Sequence, residues 1–220
     1  MSSKDLGATD WNRYYSGKKS IFSTMTQRHT LKKILDAYDF ATNKKEGRNN
    51  IIELGGGNSC FAYDICKQRD ISRYDIVDNC ELAVELFEKN QSIEADSKVG
   101  YLVDLTAENL ELQSKYDFVY SIGLIEHFDQ SQREQVLRNH FKYVKDDGIV
   151  FITFPTPTLK YRFFRKCMEI LGVWQFYDEH PLTIDDVKAV LEECGNILSY
   201  EINRKLFLTQ MCVAIKKSEE

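Results

Sequence analysis

The sequence predicts an α/β fold in which a mostly parallel sheet is covered by helices on both faces. Apolar, strand-like segments alternate with helical ones along most of the chain. These segments are almost continuously apolar, which is typical of strands in a parallel sheet that is buried on both faces. The chain has 220 residues, of which 43% are apolar, so it is long enough for one sizeable core and short for two.

The first elements lead to a glycine-rich turn. Residues 1–20 are polar apart from three aromatic side chains, and they predict an irregular arm. The spacing of apolar residues then predicts a helix over about 23–40. After a charged loop, residues 51–54 form a short apolar run that ends in three glycines. This pattern indicates a strand that meets a tight turn.

Helices and strands then alternate up to residue 154. The helix before the last of these strands has an apolar face that includes Val136, Phe141 and Val144. Asp146-Asp147-Gly148 predicts a turn between that helix and the strand. The predicted elements are helix 59–67, strand 74–77, helix 81–89, strands 99–103 and 118–121, a helix that ends near 144, and strand 149–154.

The C-terminal part predicts a helix followed by a hairpin. Thr183-Ile184-Asp185-Asp186 is typical of a helix start, and Gly195 is typical of a helix end. Strands at 197–202 and 206–215 follow, and we expect a tight turn at Asn203-Arg204 to join them. A hairpin at the end of a parallel sheet makes one strand antiparallel. The sequence thus predicts seven strands, mostly parallel, with an antiparallel strand at the C-terminus.

Composition and charge argue against several classes of protein. No apolar run approaches the roughly 18 residues of a membrane helix, and no secretory signal is evident, so we expect no membrane insertion and a cytoplasmic location. The six cysteines form no C-x-x-C pair and the four histidines share no helix face, which predicts reduced thiols and no metal site. The net charge of −5 weighs against nucleic acid as a partner. The sequence does not indicate an oligomeric state.

The strongest chemical signal is the turn Glu53-Leu54-Gly55-Gly56-Gly57 and two acidic residues that follow later strands. Glycines at a strand-to-helix turn allow the backbone to approach a ligand closely. Asp78 comes about 20 residues after the turn, where a carboxylate can accept both hydroxyls of a ribose. Asp104 ends the third strand, where it could accept a hydrogen bond from an adenine amino group. The alternatives are a tight turn, a helix cap at Asp78-Asn79, and a turn aspartate at Asp104.

These residues, together with the run from Tyr116 to Phe128, resemble class I S-adenosylmethionine-dependent methyltransferases over about residues 50–155. The resemblance implies a Rossmann-like fold and S-adenosyl-L-methionine as the cofactor. It places the methionine part near the glycine turn and Ser121, the ribose at Asp78 and the adenine at Asp104. The cofactor-binding residues that we predict from it are Glu53, Gly55, Gly56, Gly57, Asp78, Asn79, Asp104, Leu105 and Ser121.

We interpret residues 1–220 as a single methyltransferase domain, because the sequence contains no internal repeat and no linker rich in Pro, Gly or Ser. Four parts are expected within it. They are an N-terminal arm and helix cap at 1–45, a cofactor-binding core at 50–155, a lid insertion at 156–182, and a C-terminal helix and hairpin at 183–220.

Two rival functions remain open on the same fold. A nicotinamide-dependent oxidoreductase would have a third glycine three residues after Gly57, where this chain has Cys60. A protein that keeps the fold without catalysing methyl transfer is the other alternative.

His127 is the candidate catalytic residue, because it follows the fourth strand at the edge of the sheet where ligands bind. It could remove a proton from an acceptor hydroxyl, or it could simply shape the cofactor pocket. In the N-terminal arm, Tyr14 or Tyr15 could face the positively charged sulfonium. Trp11 and the two tyrosines could equally fill a surface groove.

The predicted lid is the most basic segment of an acidic protein, with Lys160, Arg162, Arg165 and Lys166 close together. Arginine forks suit phosphate or carboxylate groups. The expected acceptor is therefore a small anionic molecule, such as a sugar phosphate, a nucleotide-linked sugar or a phosphoryl group, methylated on oxygen and bound by Tyr161, Arg162, Arg165 and His180.

Three alternatives for the lid and the acceptor stay open. The lid helix could be a solvated face with Phe163, Phe164 and Met168 packed inward. Among acceptor classes, a small carbohydrate or phosphorylated metabolite, as in bacterial surface-polysaccharide pathways, ranks above an amine. A nucleic-acid base ranks last, because the Asn-Pro-Pro-aromatic motif of base-amino methyltransferases is missing after the fourth strand.

Overall fold

The computed structural model describes residues 8–17, 21–42, 49–204 and 209–218. Its strands are β1 (Asn49–Leu54), β2 (Ile71–Asp78), β3 (Gly100–Leu102), β4 (Tyr116–Ile122), β5 (Val144–Pro155), β6 (Gly195–Asn203) and β7 (Gln210–Lys217). Its helices are α1 (Trp11–Ser16), α2 (Ile21–Thr42), α3 (Ala62–Gln68), α4 (Glu81–Lys89), α5 (Gln130–Tyr143), α6 (Leu159–Ile170) and α7 (Asp185–Cys194), and a 3-10 turn covers Ile125–His127.

The strands form one seven-stranded sheet in the order β3-β2-β1-β4-β5-β7-β6. The five strands from β3 to β5 run parallel, and β7 pairs antiparallel with both β5 and β6. The predicted fold class is therefore confirmed. The strand order reverses between β1 and β4, and ligands of open α/β sheets bind outside the carboxyl ends of the strands at such a point.

Alternate residues of the central strands supply two cores, one on each face of the sheet. Ile52 and Val119 point into a core that α5 and α7 cover, whereas Ile51 and Phe118 point into one that α2, α3 and α4 cover. Side chains on a strand alternate between its faces, so an unbroken apolar run supplies both cores at once. This two-sided burial fixes the register of β1 and β4, and with it the position of the turn after β1.

The turn predicted at Asp146-Asp147-Gly148 falls within β5, which begins at Val144, but in an irregular part of it. Tyr116 pairs with Val144 and Phe118 with Ile149, where the regular ladder starts as predicted. A Cβ on Gly148 would lie 2.6 Å from Val144 and 2.8 Å from the carbonyl oxygen of Asp117 in β4. Glycine is needed there for a close approach between strands, which gives the same sequence signal as a turn.

Two further boundaries differ from the prediction. The tight turn at Asn203-Arg204 is wrong, because β6 continues through Asn203 and pairs that residue with Gln210. Part of this connection, and the predicted start of the last strand, lie outside the described residues. The prediction of an irregular N-terminal arm is wrong over Trp11–Ser16, which form helix α1. The side chain of Asp10 caps this helix by accepting from the backbone N–H of Arg13 at 2.9 Å.

None of the helices in the described ranges is both long and apolar enough to cross a bilayer.

Candidate functional site

The turn after β1 is held against β2 and is shaped by two glycines with left-handed backbone. Gly55 and Gly57 have φ of 66° and 55°, and the N–H of Gly55 donates to the carbonyl of Val77 at 2.8 Å. A Cβ on Gly55 would lie 2.5 Å from Leu124, and one on Gly57 would collide with the phenol of Tyr15. These glycines are thus required by backbone conformation and by close side chains.

Glu53 lies beneath this turn in a cluster of hydroxyl groups. Its Oε2 accepts hydrogen bonds from Ser59 Oγ at 2.6 Å and from Tyr74 Oη at 3.0 Å, and Tyr74 also bonds to Tyr120. Burial raises the pKa of Glu53 to about 7, although the hydroxyls around it favour the ionised form. At neutral pH this carboxyl is therefore poised between its neutral and ionised states.

Asp78, at the end of β2, is tied directly to the glycine turn. Its Oδ2 accepts from the N–H of Gly57 at 2.8 Å, and its Oδ1 accepts from the N–H of Cys80, also at 2.8 Å. Burial raises its pKa, while these backbone donors work in the opposite direction. The structure thus brings together the glycines of the turn, Glu53 and Asp78, as the sequence predicts, and Asn79 lies exposed beside them.

Asp104 and Leu105 follow β3 at the same edge of the sheet. Asp78 pairs with Leu102, so Asp104 lies two residues beyond the level of Asp78. Its Oδ1 accepts from the N–H and the hydroxyl of Thr106, which is the turn geometry of the alternative interpretation, but the residue is exposed. Leu105 is buried in the core, so its side chain serves packing.

Ser121, at the end of β4, is completely buried, and its hydroxyl bonds to His140 of α5. The hydroxyl lies 2.9 Å from Nε2 of His140, whose Nδ1 lies 2.7 Å from the carbonyl of Val136. A carbonyl can only accept, so Nδ1 carries the proton and Ser121 donates to Nε2. Burial lowers the pKa of His140 to about 4, which keeps the ring neutral. Ser121 thus supports the site from below.

An aromatic roof, formed by Trp11, Tyr14, Tyr15 and Phe176, covers the turn. Trp11 stacks on Tyr15 at 6.2 Å between ring centroids, and Phe176 lies 5.4 Å from Tyr14. Tyr15 lies over Gly57, and burial together with the nearby carboxyl of Asp78 raises the pKa of its phenol, which stays neutral. Beside the roof, a cleft of about 600 Å³ separates α1 from the start of α4, with Asn12, Asn79 and Glu81 in its lining.

His127 lies at the edge of the roof, where it is held by Asp178. Its Nδ1 is 2.9 Å from Oδ1 of Asp178, and its ring lies 5.2 Å from that of Trp11. Asp178 also accepts from the backbone N–H of Thr9 at 3.1 Å and from the hydroxyl of the same residue. Burial lowers the pKa of His127, and the hydrogen bond to Asp178 opposes this effect.

Glu126, next to His127, is a buried carboxyl with an oxygen to spare. It is 2% exposed, and its Oε2 has no hydrogen-bond partner within the part of the chain that the structure describes. Burial raises its pKa well above the ordinary value, and the negative charges of Glu179 and Asp178 add to this effect. A buried polar atom without a partner is unusual and marks a place where a further donor or acceptor can bind.

The predicted lid is built around Glu179. Tyr161 donates its hydroxyl hydrogen bond to this carboxyl, and Arg165 lies 3.6 Å from it. Arg165 also donates to the carbonyl of Glu179 at 2.9 Å and lies over the ring of Trp174. Burial raises the pKa of Glu179 to about 8. Tyr161 and Arg165 therefore already have partners within the protein.

Arg162 and His180, the other two predicted acceptor residues, are exposed. His180 donates its backbone N–H to the carbonyl of Glu126 at 2.8 Å, which fixes the lid segment next to His127. Arg162 lies on the solvent side of α6. The packing of Phe163 toward the interior is wrong, because this side chain is 74% exposed.

Sequence reasoning missed the residues that hold the predicted ones in place. Ser59, Tyr74 and Tyr120 surround Glu53. Asp178, which is itself bonded to Thr9, holds His127. Tyr74 and Tyr120 appear as ordinary residues of apolar strands, and their facing position follows only from the pairing of β2, β1 and β4. Thr9 and Asp178 are 169 residues apart, so no local pattern connects them.

Comparison with known proteins identifies relatives of this chain. A family model described as a methyltransferase domain matches residues 26–195. A malonyl-[acyl-carrier protein] O-methyltransferase from Ilyobacter polytropus is 24% identical over 170 residues, which cover 76% of this chain and 60% of the relative. The match therefore spans less than two thirds of the length of that protein.

Solved structures share the fold at low sequence identity. A magnesium protoporphyrin IX methyltransferase from Synechocystis, with bound S-adenosylhomocysteine, has a TM-score of 0.69 at 15% identity and covers 94% of this chain and 93% of its own. The N-methyltransferase NodS from Bradyrhizobium japonicum, also with S-adenosylhomocysteine, has a TM-score of 0.63 at 11% identity, covering 97% and 94%.

Proposed function

The chain belongs to the methyltransferase domain family. We therefore propose that it transfers a methyl group from S-adenosyl-L-methionine to a small-molecule acceptor. The resemblance inferred from the sequence is thereby confirmed at the level of the family. Solved relatives that hold S-adenosylmethionine or its product agree with the predicted cofactor. We name the residues of the turn 53–57 with Asp78 and Asp104 the cofactor half. Glu126 and His127 with residues 159–180 form the acceptor half.

A single observation carries the proposal: the N–H of Gly57, in a left-handed turn at the strand-order reversal, is bound to the carboxylate of Asp78. This bond fixes the carboxylate at the carboxyl edge of the sheet, where it can accept ribose hydroxyls in addition to its backbone donors. Glu53 lies on the other side of the turn, where its ionised form attracts a cationic methionine moiety. Asp104, exposed beyond β3, can accept a hydrogen bond from the amino group of the adenine.

The residues of the cofactor half fit this ligand by charge and by position. Both Glu53 and Asp78 can be anionic, which suits a ligand that carries a sulfonium and an ammonium group. Aromatic faces attract such cations, and Tyr15 lies directly over the turn. The bound cofactor supplies an activated methyl group. The chain's own task is to align the acceptor with it and to exclude water, which the aromatic roof serves.

His127 is suited to remove a proton from an acceptor hydroxyl. The ionised carboxylate of Asp178 can only accept, so it selects the tautomer of His127 with the proton on Nδ1. Nε2 then carries a lone pair that can take a proton. The lowered pKa keeps the ring neutral near pH 7, which is the form that a general base requires. O-methylation is therefore our first proposal.

For the acceptor, we propose a small molecule with an anionic group, such as a sugar phosphate of a surface-polysaccharide pathway, reaching the site past Arg162. Support for this comes from the exposure of Arg162 on α6, which leaves its guanidinium accessible, whereas Arg165 and Tyr161 are already engaged by Glu179. A small amine is the second candidate, because Glu126 offers a buried oxygen without a partner close to His127. An amine donor could satisfy that oxygen.

The test is a calorimetric titration with S-adenosylmethionine and, in parallel, with NAD. It is followed by a screen of sugar phosphates, neutral sugars and amines for release of S-adenosylhomocysteine. We expect binding of S-adenosylmethionine alone and turnover with an anionic sugar. Binding of NAD instead would refute the methyl-transfer proposal. Equal turnover of charged and neutral sugars, unaffected by Arg162→Ala, would refute anionic recognition, and turnover of amines alone would favour the second candidate.

A further inference from the structure

Helix α6 presents a stripe of apolar side chains to solvent. Leu159 is 84% exposed, Phe163 is 74% exposed and Ile170 is 74% exposed. Residues spaced by four and seven along an α-helix lie on one face, so these three side chains form one line. Leu171 and Val173, in the turn that follows, are 67% and 58% exposed and continue it. We name these five residues the apolar stripe.

The opposite face of the same helix is packed against the protein. Tyr161 is buried and bonded to Glu179, and Arg165 is held by Glu179 and Trp174. The helix is therefore fixed in this orientation by its inner face. The exposure of the apolar stripe is a property of a well-anchored helix, and exposed apolar patches of this kind mark sites of interaction.

Basic side chains border the apolar stripe on both sides. Lys166 lies one helical turn after Phe163 and is 71% exposed, and its Nζ lies 3.7 Å from the carboxylate of Glu169 on the same helix. Arg162, also exposed, lies on the same side, and Lys160 lies on the other. The protein as a whole carries a net charge of −5. Because the rest of the surface is acidic on balance, a negatively charged surface would attract the molecule through α6 and repel it elsewhere.

We propose that the apolar stripe and its basic border dock on the surface of an anionic phospholipid bilayer. An interfacial helix lies in the plane of the headgroups, with Leu and Phe side chains inserted and Lys or Arg at the level of the phosphates. A protein partner is less well matched, because the apolar residues project from a single convex helix and protein interfaces are depleted in lysine. The proposal goes beyond methyl transfer and does not depend on it.

The test is co-sedimentation of the whole chain with vesicles of pure phosphatidylcholine and with vesicles that contain equal parts of phosphatidylcholine and phosphatidylglycerol. We expect sedimentation with the anionic vesicles only, weakened at about 0.5 M salt, where charges are screened within a few ångströms. The double variant Phe163→Ser/Ile170→Ser should bind at least about tenfold more weakly, since it removes the inserted apolar area. Arg162→Gln/Lys166→Gln should lose the preference for anionic lipid.

Phe40→Ser is the matched control, because this phenylalanine of α2 is 64% exposed and lies outside α6. It should sediment like the wild type. Thermal unfolding of every variant checks that the fold is kept, as expected for exposed positions. Absence of sedimentation with anionic vesicles, or equal sedimentation of the Phe163→Ser/Ile170→Ser variant, overturns the proposal. If vesicles fail to bind and gel filtration shows self-association that this variant abolishes, the stripe is instead an interface between copies of the chain.

Discussion

The cofactor half and the acceptor half hold their acidic side chains in different ways. In the cofactor half, Glu53 and Asp78 have several donors each, from hydroxyls and from backbone N–H groups. In the acceptor half, Glu126 has an oxygen without a partner among the described residues, and Glu179 is held by the side chains of the lid. In the cofactor half, the carboxyl groups are thus held in place without a ligand. In the acceptor half, that oxygen of Glu126 is left to bond to a ligand.

The two halves also differ in how far apart in sequence their bonded residues lie. In the cofactor half, the bonds from Gly57 to Asp78 and from Tyr74 to Glu53 each join residues 21 positions apart. Tyr120, beside the same Glu53 carboxyl, comes from the more distant strand β4. In the acceptor half, Asp178 connects positions 51 and 169 residues away. A short motif can therefore encode a cofactor site, whereas an acceptor site depends on which distant segments the fold brings together.

The largest effect that separates the two halves is expected from His127→Asn. Loss of a positioned general base lowers turnover by about 10²- to 10⁴-fold, while the dissociation constant of S-adenosylmethionine should change little, because His127 lies in the acceptor half. Steady-state kinetics and calorimetry measure the two quantities. His29→Asn, on α2 and outside the acceptor half, is the matched control. If turnover of His127→Asn stays within a few fold of wild type, the histidine only shapes the pocket.

The next effect is expected in the cofactor half, from Gly57→Ala. The new methyl group would collide with Tyr15 and would occupy a left-handed conformation with φ of 55°. Strain and repacking together should cost about 2–4 kcal/mol of unfolding free energy and weaken S-adenosylmethionine binding. Gly172→Ala, with φ of 67° and open space around it, should cost only the strain, about 1–2 kcal/mol. Equal costs in urea unfolding would mean that Tyr15 does not press on the turn.

A pH titration of cofactor affinity tests whether Glu53 is poised as described. Its folded-state pKa of about 7 lies above the ordinary value, so the ionised form that attracts a cation becomes dominant as pH rises through 7. We expect affinity for S-adenosylmethionine to rise by up to about tenfold between pH 6 and 8. In Glu53→Gln this rise should disappear. A rise that persists in the variant would assign the titration to another group.

The raised pKa of Glu53 has the opposite effect on the stability of the protein without a ligand, which falls as pH rises. In the unfolded chain the carboxyl ionises at a lower pH, so the native state binds more protons between about pH 4.5 and 7. The contribution of Glu53 to stability is therefore full at low pH and declines as pH rises through this window. Urea unfolding of wild type and Glu53→Gln at several pH values measures the difference.

The smallest effect is expected at the outer edge of the cofactor half, from Asp104→Asn. The side chain is exposed and already accepts from Thr106, so loss of one bond to the adenine should weaken S-adenosylmethionine by only a few fold, about 1 kcal/mol or less. Asp78→Asn, which also disturbs the bond to Gly57, should weaken it more. Equal effects in calorimetry would contradict the graded roles of the two carboxylates.

Much of the fold follows from the sequence because the strands are apolar on both faces and are punctuated by glycines. The antiparallel end of the sheet could be predicted from the hairpin, and α4 has the predicted bounds. Two turn-like positions are harder to predict. Gly148 lies in an irregular part of β5 and closely approaches β4, and Asn203 extends the ladder of β6, yet both are typical turn residues. Local propensity cannot distinguish a reversal from a close approach.

The candidate site divides in the same way. Glu53, the glycines and Asp78 could be placed together from their positions after successive strands. The hydroxyl cluster around Glu53 could not, because Tyr74 and Tyr120 face it only through strand pairing. In the predicted lid, the sequence shows the four basic residues only as one basic segment. In the structure Arg165 turns inward to Glu179, whereas Lys166 turns outward. Their division follows from how α6 is anchored.

The carboxylate of Asp178 connects the N-terminal segment to His127. Thr9, just before α1, and His127 both bond to this one side chain. The N-terminal segment therefore cannot move away without breaking hydrogen bonds to the carboxylate that orients the imidazole of His127. Displacement of this segment would remove both hydrogen bonds that Thr9 donates to Asp178, so we expect opening of the roof to loosen the carboxylate that orients His127.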